Sequence, residues 1–366
     1  MSSLVNGKYA FLRCHSMQQS YMGNGGPDFV TAELDAAQRC GFTGARVDIN
    51  PSTIEPTRGA ARSWTSFDQY CDRMLDRSLT FVQWGTYYAP TGTGWVTTNG
   101  KQPHADDQAY TRDLMYAVAD RFVTNGFPYA NQTCHAWNEW DGSIGGGDGT
   151  NAHATVLAWL KYFIPLFRTN RASVRMVGPS VASAAGINTT NYDATFRSTC
   201  NSVLQNFCSS IYVGIGDMPV NWSRFEYRKK VHDRLDSDIA AFEAVDAQLV
   251  GQNFHVTESG ASQQKLGFVT SSWTPRGGER HSAEYRVQHY CALLEHPRVQ
   301  TVSWYMAANQ QDSHDGRSEN DNCGILASTS LTPYKNTYLA IGRANGLPMV
   351  EADELAYWGS WASEPA

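Results

Sequence analysis

The stretch PDFVTAELDAAQRCGFTGARVDI, residues 27–49, carries the pattern that decides the fold. Pro27 and Asp28 suit the first turn of a helix, because proline needs no N–H partner there and an acidic residue meets the positive helix end. Gly41 is placed to end that helix, since glycine readily adopts the left-handed conformation found after helices. The stretch therefore predicts a helix over 28–40 that leads into a strand over 44–49.

The same alternation of short β-branched or aromatic runs with longer amphipathic segments continues along the chain. The predicted strands are Tyr9–Cys14, Gly44–Ile49, Leu79–Trp84, Gln132–Trp137, Val174–Gly178, Ser210–Ile215, Asn253–Thr257 and Val299–Tyr305. The predicted helices are Asp28–Cys40, Ser66–Arg77, Asp106–Asn125, Ala152–Arg168, Tyr192–Asn206, Arg224–Leu249, His281–His296 and Tyr334–Arg343. This order favours an α/β fold, a single (β/α)8 TIM barrel with long top-face loops, over a doubly wound sheet. We expect one domain over residues 1–366.

Composition argues against several classes of function. Lys and Arg number 29 against 35 Asp and Glu, and no run of basic residues could follow a phosphate backbone, so we expect no nucleic acid partner. No apolar stretch approaches the roughly 20 residues that cross a bilayer, so we expect no membrane association. The opening residues show no signal peptide, and the location stays open, with an extracellular one favoured.

The eight cysteines are scattered and form no Cys-x-x-Cys pair. Cys200 and Cys208 are close enough for a short bridged loop, whereas buried free thiols are the favoured alternative. Neither the cysteines nor the histidines have the spacing of metal ligands, so we expect no metal and no cofactor.

Two glutamates follow predicted strands, Glu139 after the fourth and Glu258 after the seventh. Active sites of barrels lie at these strand ends, and the two positions face one mouth. Cleavage of a glycosidic bond requires such a pair, one acid to protonate the leaving oxygen and one anion to meet the sugar carbon. The structural alternatives are a helix N-terminal carboxylate for Glu139 and a polar strand end for Glu258.

These segments resemble clan A glycoside hydrolases, which are retaining barrel enzymes. Trp137-Asn138-Glu139 is similar to the clan's fourth strand end, and FHVTESG, residues 254–260, to its seventh. The segment Leu34–Arg46 is similar to the clan's first helix and second strand. Val174–Pro179 is similar to its fifth strand, and residues 323–335 resemble the approach to its last helix.

The resemblance implies an O-glycosyl hydrolase that cleaves a β-linked oligo- or polysaccharide with retention, through a covalent glycosyl-enzyme. Glu139 would be the general acid/base and Glu258 the nucleophile. Arg46 would bind Glu258 through a charge-assisted hydrogen bond. Asn138 would bind the sugar 2-hydroxyl, and Trp304 would lie under the sugar at the cleavage site.

Further candidate sugar contacts are His15, Trp84 and Trp140, although ordinary packing explains a loop aromatic equally well. The chain departs from the clan at the sixth strand, where many families carry a His-x-Tyr pattern whose tyrosine bonds the nucleophile. Residues 210–218 read SIYVGIGDM instead, which leaves Tyr212 as the candidate for that role, with Asp217 or Trp222 as alternatives.

Two other interpretations stay open. The first is a catalytically inactive barrel that binds carbohydrate as a virion or surface component, against which the presence of both glutamates argues. The second is a metal-dependent barrel hydrolase, for which the sequence offers no ligand spacing.

Overall fold

A computed structural model of the chain describes residues 5, 7–14, 27–86, 108–135, 150–177, 180–181, 206–211, 224–245, 247–260, 278–305, 307, 324–326 and 335–347. The strands are β1 Tyr9–Arg13, β2 Gly44–Ile49, β3 Phe81–Thr86, β4 Gln132–His135, β5 Arg175–Val177, β6 Ser180–Val181, β7 Asn206–Ile211, β8 Asn253–Ser259 and β9 Val299–Trp304. The helices are α1 Pro27–Arg39, α2 Pro51–Ile54, α3 Thr65–Asp76, α4 Gln108–Thr124, α5 Thr150–Asn170, α6 Arg224–Val245, α7 Gly278–Glu295 and α8 Lys335–Ala344. Short 3₁₀ turns occupy Tyr129–Asn131 and Ala247–Leu249.

The strands form one parallel sheet in the order β5-β4-β3-β2-β1-β9-β8-β7-β6. Its two outermost strands, β5 and β6, are separated in the chain only by residues 178 and 179. Since consecutive Cα atoms lie about 3.8 Å apart, the two edges stay within about 11 Å of each other. The sheet is therefore nearly closed into a barrel, in which we count β5 and β6 together as the fifth of eight positions. The predicted barrel is confirmed, and β8 takes its seventh position.

The two faces of the sheet differ in chemistry. Side chains that face the helices form the hydrophobic core, among them Leu12, Val47, Val82, Met176 and Val302. The inner face is polar: Ser303 of β9 donates to Gln83 of β3, two strands that are not neighbours, so these side chains meet across the barrel. Polar side chains on opposite sides of the barrel therefore contact one another in its interior.

The predicted sixth strand, Ser210–Ile215, starts too late in the sequence. The strand begins at Asn206 and is paired from Asn206↔Asn253 onward. The prediction followed the β-branched and aromatic residues after Ser210, whereas pairing with the neighbouring strand sets the register. The predicted helix Tyr192–Asn206 lies, except for its last residue, outside the described residues.

The remaining elements begin and end within a few residues of their predicted bounds, and the predicted helix through Leu249 divides into α6 and a 3₁₀ turn. Cys14, Cys40, Cys71, Cys134 and Cys291 are free thiols. None of the described helices is long and apolar enough to cross a membrane.

Candidate active site

Glu258 lies near the C-terminal end of β8, where the strand contains one extra residue. Consecutive residues of β7 pair with Val256 and Glu258, so the register passes over Thr257. The register with β9 shifts in the same place, between Val256 and Ser259. A bulge of this kind moves the following side chains to the opposite face. Glu258, which strict alternation from the inward His255 would turn towards the helices, therefore faces the barrel interior.

Two guanidinium groups bind the same oxygen of Glu258. Arg13 Nη1 and Arg46 Nη1 each lie 2.9 Å from Glu258 Oε2. The side chain of Arg46 is fully buried, and its Nη1 also donates to the backbone carbonyl of Thr257 at the bulge. Arg46 thus lies beside Glu258 as the clan resemblance implied, and it also binds the bulge that carries this glutamate.

Asp48 of β2 completes a group of four that we call the rim quartet, namely Arg13, Arg46, Asp48 and Glu258. Asp48 Oδ2 lies 2.6 Å from Arg13 Nη2, and Asp48 Oδ1 lies 3.3 Å from Arg46 Nη2. Burial raises the pKa of Asp48, but the charges of Arg13 and Arg46 outweigh it and hold that pKa well below its ordinary value. Two cations and two anions therefore balance at the rim.

His135 ends β4 beside the rim quartet. Its Nε2 lies 3.9 Å from Asp48 Oδ1, which is too long for a hydrogen bond. Burial, together with the charge of Arg46, lowers the pKa of His135 to about 3, so the ring is neutral near pH 7. Position 85 must be glycine, because a Cβ atom there would lie 2.4 Å from His135 Nε2. Neither ring nitrogen has a hydrogen-bond partner among the described residues.

The prediction that Trp304 forms the sugar platform is wrong. Trp304 is fully buried and faces the helices, where its ring lies 5.9 Å from His289 and 5.7 Å from Tyr290, both of α7. Alternation then turns the next residue, Tyr305, inward. The guanidinium carbon of Arg13 lies 4.6 Å from the centroid of the Tyr305 ring. Tyr305 is therefore the aromatic residue of this segment at the rim.

The prediction of a sugar contact by Trp84 is also wrong. Its side chain is fully buried in the layer between sheet and helices. Its ring packs 5.9 Å from Phe122 and 6.1 Å from Phe167, and its Nε1 donates to Gln132 Oε1 at 3.2 Å. The strand extends two residues beyond its predicted end, which places Trp84 inside the core rather than at the rim.

Several predicted site residues lie outside the described residues: His15, Asn138, Glu139, Trp140 and Tyr212. The described part of β4 ends four residues before Glu139, at the same rim as Glu258. Sequence reasoning missed Arg13, Asp48, His135 and Tyr305. Residues two apart in a strand lie on the same face, so Asp48 lies on the face of Arg46 and Arg13 on that of the inward Phe11. Strand alternation could therefore have identified both.

No family model and no curated protein matches the chain. Solved structures similar to it include a family 39 glycoside hydrolase from the gut symbiont Bacteroides cellulosilyticus WH2, at 15% identity and a TM-score of 0.59, over 94% of this chain and 65% of that one. A family 5 glycoside hydrolase (GH5_18) variant from Streptomyces cattleya, in complex with Manβ1-4GlcNAc, has 13% identity and a TM-score of 0.65 over 93% and 80%. The chain has the barrel fold of these glycoside hydrolases.

A broad-specificity endoglucanase (GH5-4) from Clostridium longisporum has 13% identity and a TM-score of 0.59 over 94% of this chain and 99% of that one. The chain spans less than two thirds of the length of the Bacteroides protein. Identities this low show the fold alone, and they assign no family to the chain.

Proposed function

We propose that the protein is a retaining glycoside hydrolase in which Glu258 is the nucleophile and Glu139 the general acid/base. The observation that carries the proposal is the binding of Glu258 Oε2 by both Arg13 and Arg46 at the C-terminal rim of the barrel. A catalytic carboxylate is expected at this end of the fold.

The paired arginines suit a nucleophile rather than an acid. A carboxylate that accepts hydrogen bonds from two guanidinium groups does so as an anion, and the attacking group of a retaining glycosidase must be an anion. The two contacts also fix the plane of the carboxylate, which favours attack at one sugar carbon. Glu258 is only 6% exposed, so little water competes for it.

In the proposed reaction Glu258 attacks the anomeric carbon while Glu139 donates its proton to the leaving oxygen. The bond to the leaving group breaks and an ester between the sugar and Glu258 forms. Water then attacks the same carbon, gives its proton to Glu139 and releases the Glu258 carboxylate. Retention requires the two carboxyl groups to lie about 5–5.5 Å apart.

The substrate that we propose is a β-linked oligo- or polysaccharide. Support comes from the similar structures, which include the complex with Manβ1-4GlcNAc, an exo-β-1,4-mannosidase, a β-xylosidase and the endoglucanase. In this proposal His15, Asn138, Trp140 and Tyr212 remain candidate sugar contacts, with Tyr305 added at the rim. No cofactor takes part.

A digestion panel of β-mannosides, β-xylosides and β-glucans tests the proposal, scored for new reducing ends. Wild type, Glu258→Gln and Glu139→Gln are compared with Glu243→Gln, which removes a carboxylate paired with Arg298. We expect cleavage by wild type and by Glu243→Gln, and none by the other two. Cleavage by Glu258→Gln would contradict the assigned nucleophile. Sugar binding without cleavage by wild type would favour the inactive carbohydrate-binding barrel.

A further inference from the structure

The bulge in β8 is held from both sides of the sheet. On the inner side Arg46 binds the Thr257 carbonyl and the Glu258 carboxylate. On the outer side Ser259 Oγ lies 2.7 Å from His289 Nε2 of α7, and Tyr227 OH of α6 lies 2.9 Å from His289 Nδ1. We call Ser259, His289 and Tyr227 the outer anchor.

We propose that the outer anchor positions Glu258 for attack, by locking the residue after it against the helices. This inference rests on the proposed function, because it assigns the three residues a role through Glu258. They are positioning residues, since they face the helices and not the barrel mouth.

Geometry gives the anchor its effect. Adjacent side chains of a strand point to opposite faces, so fixing Ser259 outward fixes Glu258 inward. Without that bond, β8 could relax towards regular alternation, which would turn Glu258 to the helices and Ser259 to the barrel. The anchor and the arginines therefore favour the same side-chain orientation from opposite faces.

The anchor suits a fixed rather than a titrating role. Ser259 and His289 are fully buried, and burial lowers the pKa of His289 to about 3. A neutral imidazole has one N–H to donate and one lone pair to accept, so it joins two hydroxyl groups into a continuous chain. The chain adds no charge beside the rim quartet.

The structure offers a matched pair of substitutions on neighbouring elements. Tyr227→Phe removes the hydroxyl that bonds His289. Tyr290 follows His289 in the sequence, and Tyr290→Phe removes a hydroxyl that donates to Asn345 Oδ1 at 2.8 Å. Both tyrosine rings are fully buried, so each change removes one hydroxyl from a buried ring, although the bond to the half-buried Asn345 is only partly buried.

On a substrate found in the digestion panel, we expect Tyr227→Phe to lower kcat roughly tenfold with KM within about twofold of wild type, and Tyr290→Phe to change neither. His289→Met, which removes both bonds, should lower kcat further. His289→Gln should recover part of it, because the Gln amide can reach Ser259 in place of Nε2. Equal kcat values in Tyr227→Phe, His289→Met and wild type would overturn the inference.

A second measurement does not depend on activity. Carbodiimide coupling of glycine ethyl ester to Glu258, followed by peptide mass spectrometry, reports how accessible this carboxylate is. We expect a changed coupling rate in Ser259→Ala and His289→Met and the wild-type rate in Tyr290→Phe. If wild type cleaves no glycan while the rates change as expected, the proposed function fails and the positioning role stands. Unchanged rates would contradict the positioning role whatever the activity.

Discussion

The barrel interior contains buried or half-buried arginines at both ends, but their surroundings differ. At the C-terminal end, the rim quartet pairs two arginines with two carboxylates. At the other end, the guanidinium carbon of Arg175 lies 4.0 Å from the ring centroid of Tyr9, and Arg175 Nη1 donates to Thr133 Oγ1 at 2.8 Å. Within the part of the chain that the structure describes, no carboxylate pairs with Arg175.

This comparison shows two kinds of surroundings for an arginine inside the barrel, one with carboxylate partners and one without. Burial lowers the pKa of Arg175, and the opposing interactions come from Tyr9 and from the Thr133 hydroxyl, which carry no formal charge near pH 7. At the rim each arginine binds two carboxylates, which makes the charges interdependent. Removing one member there leaves the others buried without compensation.

The largest expected effect comes from Arg46→Met. Loss of this cation leaves Asp48 and Glu258 with one arginine, and we expect unfolding to be easier by about 3–5 kcal/mol and glycan cleavage to fall at least about a hundredfold. Arg175→Met is the matched substitution at the base. It should change stability by only about 1 kcal/mol in either direction and leave cleavage intact.

Urea unfolding and initial cleavage rates measure both effects. Arg46→Lys keeps the charge but not the planar fork, so it should fall between wild type and Arg46→Met. Similar losses in the Met variants of Arg46 and Arg175 would remove the distinction between rim and base.

A smaller effect distinguishes Trp304, which packs against the helices, from Tyr305 at the rim. Trp304→Leu should leave a cavity that costs about 2–4 kcal/mol of stability, without a change in KM. Tyr305→Leu should raise KM roughly threefold to tenfold, because it removes an aromatic surface at the rim, with less loss of stability. Thermal unfolding and substrate titration of both variants test the pair. A raised KM in Trp304→Leu alone would restore the platform role predicted from the sequence.

The last expected effect is in the pH dependence of stability, and it is confined to acidic pH. Burial lowers the pKa of His135 and of His289 to about 3, against about 6.5 in an unfolded chain. Between these values the unfolded state binds protons that the folded state does not, so stability falls as pH falls from 6.5. Each ring contributes up to about 1.4 kcal/mol per pH unit. We measure the free energy of unfolding in urea at several pH values between 4.5 and 6. In His135→Gln its slope against pH should be smaller than in wild type by about 1.4 kcal/mol per pH unit, which corresponds to about one proton. A slope equal to that of wild type would contradict the neutral buried ring.

Sequence periodicity predicted the barrel and most element bounds because each βα unit carries its own signals. Gly41, for example, ends α1 with a φ of 73°, and Gly44–Ile49 forms the strand that follows, as predicted. The position of Glu258 at a strand end was likewise readable, since it depends only on the order of the strands. The contact between Arg46 and Glu258 was expected from the clan resemblance and is observed.

The face of the sheet on which each side chain lies could not be predicted from periodicity in the same way. The bulge at Thr257 carries no glycine or proline signal, and it changes which face each later residue takes. For Trp304, strand pairing rather than residue type decides that the ring lies among the helices. For Arg13 alternation gives the inward face, but its partners Asp48 and Glu258 lie on β2 and β8, which are distant in sequence.

Among the described residues β5 and β6 do not pair, and this break divides the nearly closed barrel into two half-barrels, each continuous in sequence. Strands β1 to β5 form one half and β6 to β9 the other, and they join along β1 and β9. Arg13, Arg46 and Asp48 belong to the first half, whereas Glu258 belongs to the second. The rim quartet therefore exists only once the halves have joined, and any activity that depends on it measures the assembled barrel.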